Sequence, residues 1–220
     1  METQTEKWNE HCDVNLPLKT ALRSGKTALM KWILLIALGM MIIGPKPKPT
    51  VVIQTLFGDI TVELEDEKAV ETTKNFLRYV DGGHYKNSRV HRTVTMDNQP
   101  DKKIKIEVIQ GGVGKEWEKK DFPKIKLERT RDTGLKHLDG TISMARDGAD
   151  TATSDFFICI GDQPELDFGG KRNPDGHGFA AFGRVTKGMD IVRKIQGQPA
   201  KDQTLTPAIS IKDIKRTKSK

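Results

Sequence analysis

A proline-lysine repeat, Pro45-Lys46-Pro47-Lys48-Pro49, divides the chain. Prolines on alternate positions neither continue a helix nor serve a central sheet ladder, so no element crosses the segment, and it reads as a stiff, extended spacer. Upstream, Trp32 to Gly44 runs WILLIALGMMIIG, thirteen residues without a charge, preceded by Lys31. As a helix that run spans about 20 Å against a hydrocarbon core of about 30 Å. Its length is that of a signal-peptide apolar region, and its lack of a polar face speaks against a buried helix of a globular domain. No Ala-x-Ala precedes the prolines, so an uncleaved membrane anchor through residues 32–44 stands beside cleavage. Met30-Lys31 has the form of a translation start with a short basic region, and on that expectation residues 1–29 would be an artefact of the assigned start. On either version residues 1–50 are a leader and linker. Residues 51–220 are expected outside the cytoplasm, in the periplasm or cell envelope, secreted or anchored.

Downstream the chain breaks into short β-rich runs punctuated by turn residues. Val51 to Phe57 and Asp59 to Glu65 flank Gly58 as a hairpin. Val70, Thr73, Phe76, Leu77 and Val80 fall at helical spacing, stopped by Gly82-Gly83. Further strands are expected at Arg89 to Val94, Ile104 to Gln110, Thr141 to Ala145, Asp155 to Ile160, Phe179 to Val185 and Ile209 to Ile214. A second helix is expected from Met189 to Ile195. Eight short strands and two helices predict a mainly β fold, an eight-stranded antiparallel barrel with two capping helices. Thr93 to Lys103 and Val113 to Lys136 are polar and read as loops.

Charge and cysteine usage exclude several classes. The formal charge is +7, with seven Lys/Arg against four Asp/Glu before residue 51 and thirty against twenty-six after it. The excess is thin and is not interleaved with aromatics, so a nucleic-acid partner is not expected and a solvated surface is. Cys12 lies in the polar leader and Cys159 inside the apolar run Phe156 to Ile160, which argues against a disulfide. Apolar flanks also shield Cys159 from acting as a nucleophile, and Ser143 and Ser154 lie in no Gly-x-Ser-x-Gly setting. The five histidines lack metal-ligand spacing, and Asn173-Pro174-Asp175-Gly176 lacks the closing glutamate of a calcium loop, so it reads as a turn. Neither metal nor cofactor is expected.

What remains is one arginine, one glutamine and several apolar side chains on predicted strands. Taken singly, Phe157 and Leu166 fit plain core positions, Arg92 a surface ion pair and His91 a packed strand histidine. Taken in order, His91-Arg92, Gln110-Gly111-Gly112, Ile142-Ser143-Met144-Ala145, Phe156-Phe157-Ile158, Leu166-Asp167 and Phe182-Gly183-Arg184-Val185, followed by Gly188-Met189-Asp190-Ile191-Val192, resemble the cyclophilin family of peptidyl-prolyl cis/trans isomerases. The resemblance spans Val51 to Lys215. It implies that Arg92 is the catalytic arginine, that Gln110 positions it, and that Val108, Phe157, Leu166 and Phe179 receive a proline ring beside the backbone of Arg146. It also implies proline-containing polypeptides as partners and exported proteins as folding clients. A monomer is expected.

Four departures bear on that reading. Seventeen residues separate Arg92 from Gln110, more than the family's eukaryotic members carry, and the extra residues are expected to enlarge that edge of the site. Glu107 stands where the resemblance places an aromatic pocket residue, Asp155 where it places a glutamine, and Glu165 where it places a tryptophan of the pocket edge. A non-catalytic proline-peptide binding or chaperone module is therefore the alternative, with Glu107 and the insertion as the features that would abolish turnover.

Overall fold

The computed structural model describes residues 46–114, 116, 117 and 120–217. The expected leader through residue 45, with Met30, Cys12 and the apolar run 32–44, lies outside the described residues, as does the end of the basic tail from residue 218. Among the described residues no helix is long and apolar enough to cross a membrane.

β1 (Thr50–Thr55) and β2 (Gly58–Leu64) form the expected hairpin. Gly58 turns it at φ 134°, a conformation that side-chain-bearing residues avoid. Val51, Ile53, Ile60, Val62 and Leu64 all point inward, as the period of two requires. Helix α1 (Val70–Asp81) buries Thr72, Thr73, Phe76, Leu77, Tyr79 and Val80 and exposes Glu71, Lys74 and Arg78. Its N-cap residue, Ala69, has no side-chain oxygen. Glu128 supplies one from a distant loop, accepting from the Glu71 and Thr72 amides at 3.1 and 2.7 Å.

The remaining elements are β3 (Ser88–Val94), β4 (Val108–Gly112), the short helix α2 (Thr130–Thr133), β5 (Thr141–Met144), β6 (Phe156–Cys159), a 3-10 turn at Pro164–Leu166, β7 (Ala180–Lys187), helix α3 (Met189–Gln196), β8 (Ala200–Lys201) and β9 (Thr204–Arg216). All pairings are antiparallel, in the order β1-β2-β7-β5-β6-β4-β3-β9, and β1 pairs with β9 to close the ring. This is the eight-stranded barrel the sequence predicts. β8 is a two-residue arm hairpinned onto β9 outside the ring. Inside the barrel Phe76 meets Tyr85, Phe156 and Phe182 at centroid distances of 5.3, 5.7 and 5.1 Å.

The expected strand Ile104 to Gln110 is corrected: pairing begins only at Val108. Buried Gln99 takes the place of a strand neighbour, its Nε2 donating to the Ile106 carbonyl at 2.8 Å and its Oε1 accepting from the Ile106 amide at 3.3 Å. A side chain that satisfies both backbone groups of Ile106 removes the ladder's claim on it. The last strand starts earlier than the expected Ile209, and the 113–136 stretch carries α2 and the bridge Ile125–Ala152 where only loop was expected.

Candidate active site

The site lies on the outer face of the barrel, and one irregularity puts its arginine there. Val90 pairs with Gly111 and Arg92 with Gln110, so His91 is an extra residue in β3. Without it, strand alternation would send Arg92 after Val90 into the barrel. Alternation in the neighbouring strands does the rest. Ile109 of β4 and Phe156 and Ile158 of β6 face the interior, while Val108 and Phe157 join Val94, Ile106, Cys159 and Leu166 in a separate apolar cluster, with Ala145 and Phe179 packed against it.

All seven residues singled out from the sequence, Arg92, Val108, Gln110, Arg146, Phe157, Leu166 and Phe179, line one cleft of about 580 Å³. Val108, Phe157 and Leu166 are buried, and Phe179 stands edge-on to Phe157 at 5.4 Å, which gives a ring-sized apolar hollow. Arg92 stands beside it with three of its N–H groups already engaged. Nη1 donates to Gln110 Oε1 at 3.0 Å, while Nε and Nη2 donate to Gln203 Oε1 at 3.1 and 2.7 Å. Burial depresses the Arg92 pKa from its ordinary value, yet a guanidinium stays charged at neutral pH. Gln110 is oriented in turn by its Nε2, which donates to Asp155 Oδ2 at 3.1 Å, and the His91 ring approaches the same oxygen at 3.6 Å. Asp155 is therefore the acceptor that fixes which end of the Gln110 amide faces the arginine. His91 lines the cleft next to the apparatus rather than in the hollow.

Gln203 escaped the sequence reading. It sits in the two-residue turn between β8 and β9, where Asp202 and Gln203 adopt φ of 48° and 70°. That turn type favours Asn-Gly or Asp-Gly pairs, and Asp-Gln gives only a weak signal for it. Its Nε2 donates to the Asn98 carbonyl at 3.0 Å. Asn98 is itself held by the Thr95 amide and the Thr93 carbonyl. The extra residues after Arg92 therefore form a buttress that reaches its guanidinium through one glutamine.

Two expectations about the pocket change. Glu107 does not enter it: the parity that directs Val108 and Gln110 into the cleft turns Glu107 away, where its carboxylate accepts from Gln196 Nε2 at 3.2 Å. Ile106 occupies the apolar position instead. Glu165 turns back on its own loop, accepting from the Lys171 amide at 2.7 Å, and this loop lines the cleft with Arg172 and Asn173 instead. Arg146 is a clamp. Its side chain is 1% exposed, donates to both Asp175 carboxylate oxygens at 2.7 and 3.0 Å and to the Gly178 carbonyl, and lies 5.0 Å from the Phe179 ring centre. Hydrogen bonding from Arg146 holds Asp175 down at about 2.

Beneath the hollow lies a buried Ser-His-Asp constellation. His137 contacts Asp167 Oδ1 through Nδ1 at 2.8 Å and Ser143 Oγ through Nε2 at 3.0 Å, and its ring stacks below Phe157 at 6.0 Å. Ser143 has no exposed surface, so no substrate carbonyl reaches it, and the three residues support the pocket floor. Burial raises Asp167, but the His137 hydrogen bonds and Lys136 outweigh it and leave the carboxyl below its usual range. Cys159, with a pKa pushed far up by burial, is equally inert.

A braced cation beside a ring-sized apolar hollow, with Ser143 and Cys159 both buried, is suited to non-covalent work on an uncharged ring. Residues 50–216 match the family model described as cyclophilin type peptidyl-prolyl cis-trans isomerase. The chain belongs to the cyclophilin-type peptidyl-prolyl isomerases. This cyclophilin is 37% identical over 148 residues to peptidyl-prolyl cis-trans isomerase B of Escherichia coli, covering 67% of this chain and 84% of that one. It is 36% identical over 149 residues to the isomerase cyp18 of Streptomyces antibioticus, covering 67% and 83%. A crystal structure of a Cryptosporidium parvum cyclophilin superposes with a TM-score of 0.63 at 25% identity, over 79% of this chain and 99% of that one. The same protein has been crystallised in the presence of the dipeptide Ala-Pro.

Proposed function

We propose that this cyclophilin isomerises X-Pro bonds in exported polypeptides without a covalent intermediate, with Arg92 as the group that lowers the barrier. Rotation about an X-Pro amide must break resonance across a barrier of about 20 kcal/mol, and no bond to an enzyme nucleophile is needed. The proline ring enters the hollow of Val108, Phe157, Leu166 and Phe179. The Arg92 guanidinium donates to the prolyl nitrogen, whose lone pair localises only as the amide twists. A contact that strengthens on the way to the transition state accelerates the step. A 10⁵-fold acceleration asks about 7 kcal/mol of all such terms together.

The single observation that carries this reading is the bracing of Arg92. Gln110 and Gln203 hold it in place before substrate arrives, so little reorganisation is left for the moment of reaction. Proline-containing peptides are the substrates, in keeping with the crystallisation of the Cryptosporidium relative in the presence of the dipeptide Ala-Pro. Exchange spectroscopy on an Ala-Pro peptide is expected to show cis/trans interconversion accelerated by the protein at micromolar concentration; unchanged exchange would remove the activity.

The export part of the reading is supported by the apolar run Trp32 to Gly44 and its Pro-Lys exit. Slow X-Pro isomerisation limits folding on a scale of about tens of seconds, which gives an isomerase work wherever chains fold after translocation. A reporter fused after Thr50 is expected to cross the membrane, with translation from Met30 sufficient. N-terminal sequencing then separates a chain starting near Pro45 to Val51 from an anchored one, and a soluble cytoplasmic product retaining the run contradicts both.

A further inference from the structure

Arg172 is absorbed neither by the fold nor by the mechanism. It is half-buried on the loop that follows Leu166, lines the same cleft as Arg92, and spends one donor, Nη1, on the Ile104 carbonyl at 2.7 Å. That carbonyl belongs to the segment that places Ile106 in the hollow, so the guanidinium stands at the hollow's rim. Two other basic side chains of the cleft face carboxylates: Arg146 pairs with Asp175, and the His91 ring lies 3.6 Å from Asp155. Among the described residues neither Arg92 nor Arg172 forms an ion pair with a carboxylate. Burial lowers the pKa of both, and the charge of Arg92 lowers Arg172 further, so the two cations oppose each other across the site.

Two partly desolvated, like-charged guanidiniums beside one apolar hollow form an arrangement that a single anion would relieve, and a guanidinium fork suits a carboxylate. The anion must arrive with the substrate, because the cleft wall supplies none at this end. Of the acidic residues lining the cleft, Asp155 accepts from Gln110 Nε2 and Asp121 from the Tyr79 hydroxyl, and among the described residues none of Asp121, Asp147 and Asp155 pairs with either guanidinium. We infer that this cleft selects prolyl segments carrying a carboxylate on the residue that follows the proline, with Arg172 as the specificity-determining side chain. The inference rests on the proposed isomerase reading for where the proline sits.

The test compares Ac-Ala-Ala-Pro-Xaa-Ala-NH2 peptides with Xaa as Asp, Asn or Lys, using the full chain and exchange spectroscopy for turnover, with a binding titration of the same peptides alongside. The Asp peptide is expected to exceed its Asn isostere by about tenfold in kcat/KM at low salt, with Lys poorest and the gap narrowing as salt rises. In Arg172→Gln the Asp-to-Asn ratio is expected to fall towards one, whatever happens to the absolute rates. An Asp-to-Asn ratio near one in the native protein, or a ratio unchanged in Arg172→Gln, overturns the proposal. If no peptide turns over, the isomerase reading fails, and the titration still decides whether Arg172 prefers the carboxylate.

Discussion

The two faces of β4 and β6 hold two apolar clusters of different character. The inward cluster, around Phe76, Phe156, Phe182 and Ile109, is closed by the barrel on all sides and carries aromatic side chains from three elements. The outward cluster, Val108, Phe157, Leu166 and Ile106, is small and bordered by side chains that hold one another through hydrogen bonds. Strand alternation alone sorts neighbours such as Phe156 and Phe157 into these two worlds. Stability should therefore reside in the first cluster and turnover in the second.

Phe182→Ala is expected to have the largest effect, costing about 3–5 kcal/mol in denaturant unfolding, because the surrounding barrel cannot collapse into the space. Phe157→Ala should lose at least tenfold in kcat/KM while destabilising less than Phe182→Ala; equal losses of stability would erase the distinction between the clusters. Gln203→Ala should lower kcat more than KM rises, by about threefold to tenfold overall, since the arginine loses two of its braces but keeps Gln110. A kcat equal to that of the native protein would make the insertion an ornament.

The smallest effect concerns pH. His84 is buried between Trp117 at 4.0 Å and Phe122 at 5.0 Å, and burial lowers its pKa below the usual 6.5. The unfolded chain then takes up a proton at a higher pH than the folded one. Stability should be unaffected by this group above about 6.5 and should fall as the pH drops from there through the folded-state value. His84→Phe should flatten that part of the stability profile without changing turnover.

The barrel was legible because its strands alternate cleanly and end on turn residues, as in Val51 to Leu64. The pocket was legible through short motifs on those strands. The braces were not: Gln203 reaches Arg92 across 111 positions of sequence from a turn without glycine. Gln99 likewise suppresses an apparently β-rich run at Ile104 by a side-chain contact that no periodicity records. The motif position of Glu107 does not give the direction of its side chain, which the parity of β4 turns towards Gln196. Glu165 keeps its motif position beside Leu166, but its loop folds back and its carboxylate accepts from the Lys171 amide, a contact that no motif records.

In the proposed mechanism Arg92 acts on the twisted amide and not on the fold. Arg92→Ala, measured by exchange spectroscopy on an Ala-Pro peptide and by thermal unfolding of the same sample, tests it directly. The expected result is a loss of at least tenfold in kcat/KM, with the melting temperature little changed. A folded variant that isomerises the peptide at the native rate would remove Arg92 from the mechanism.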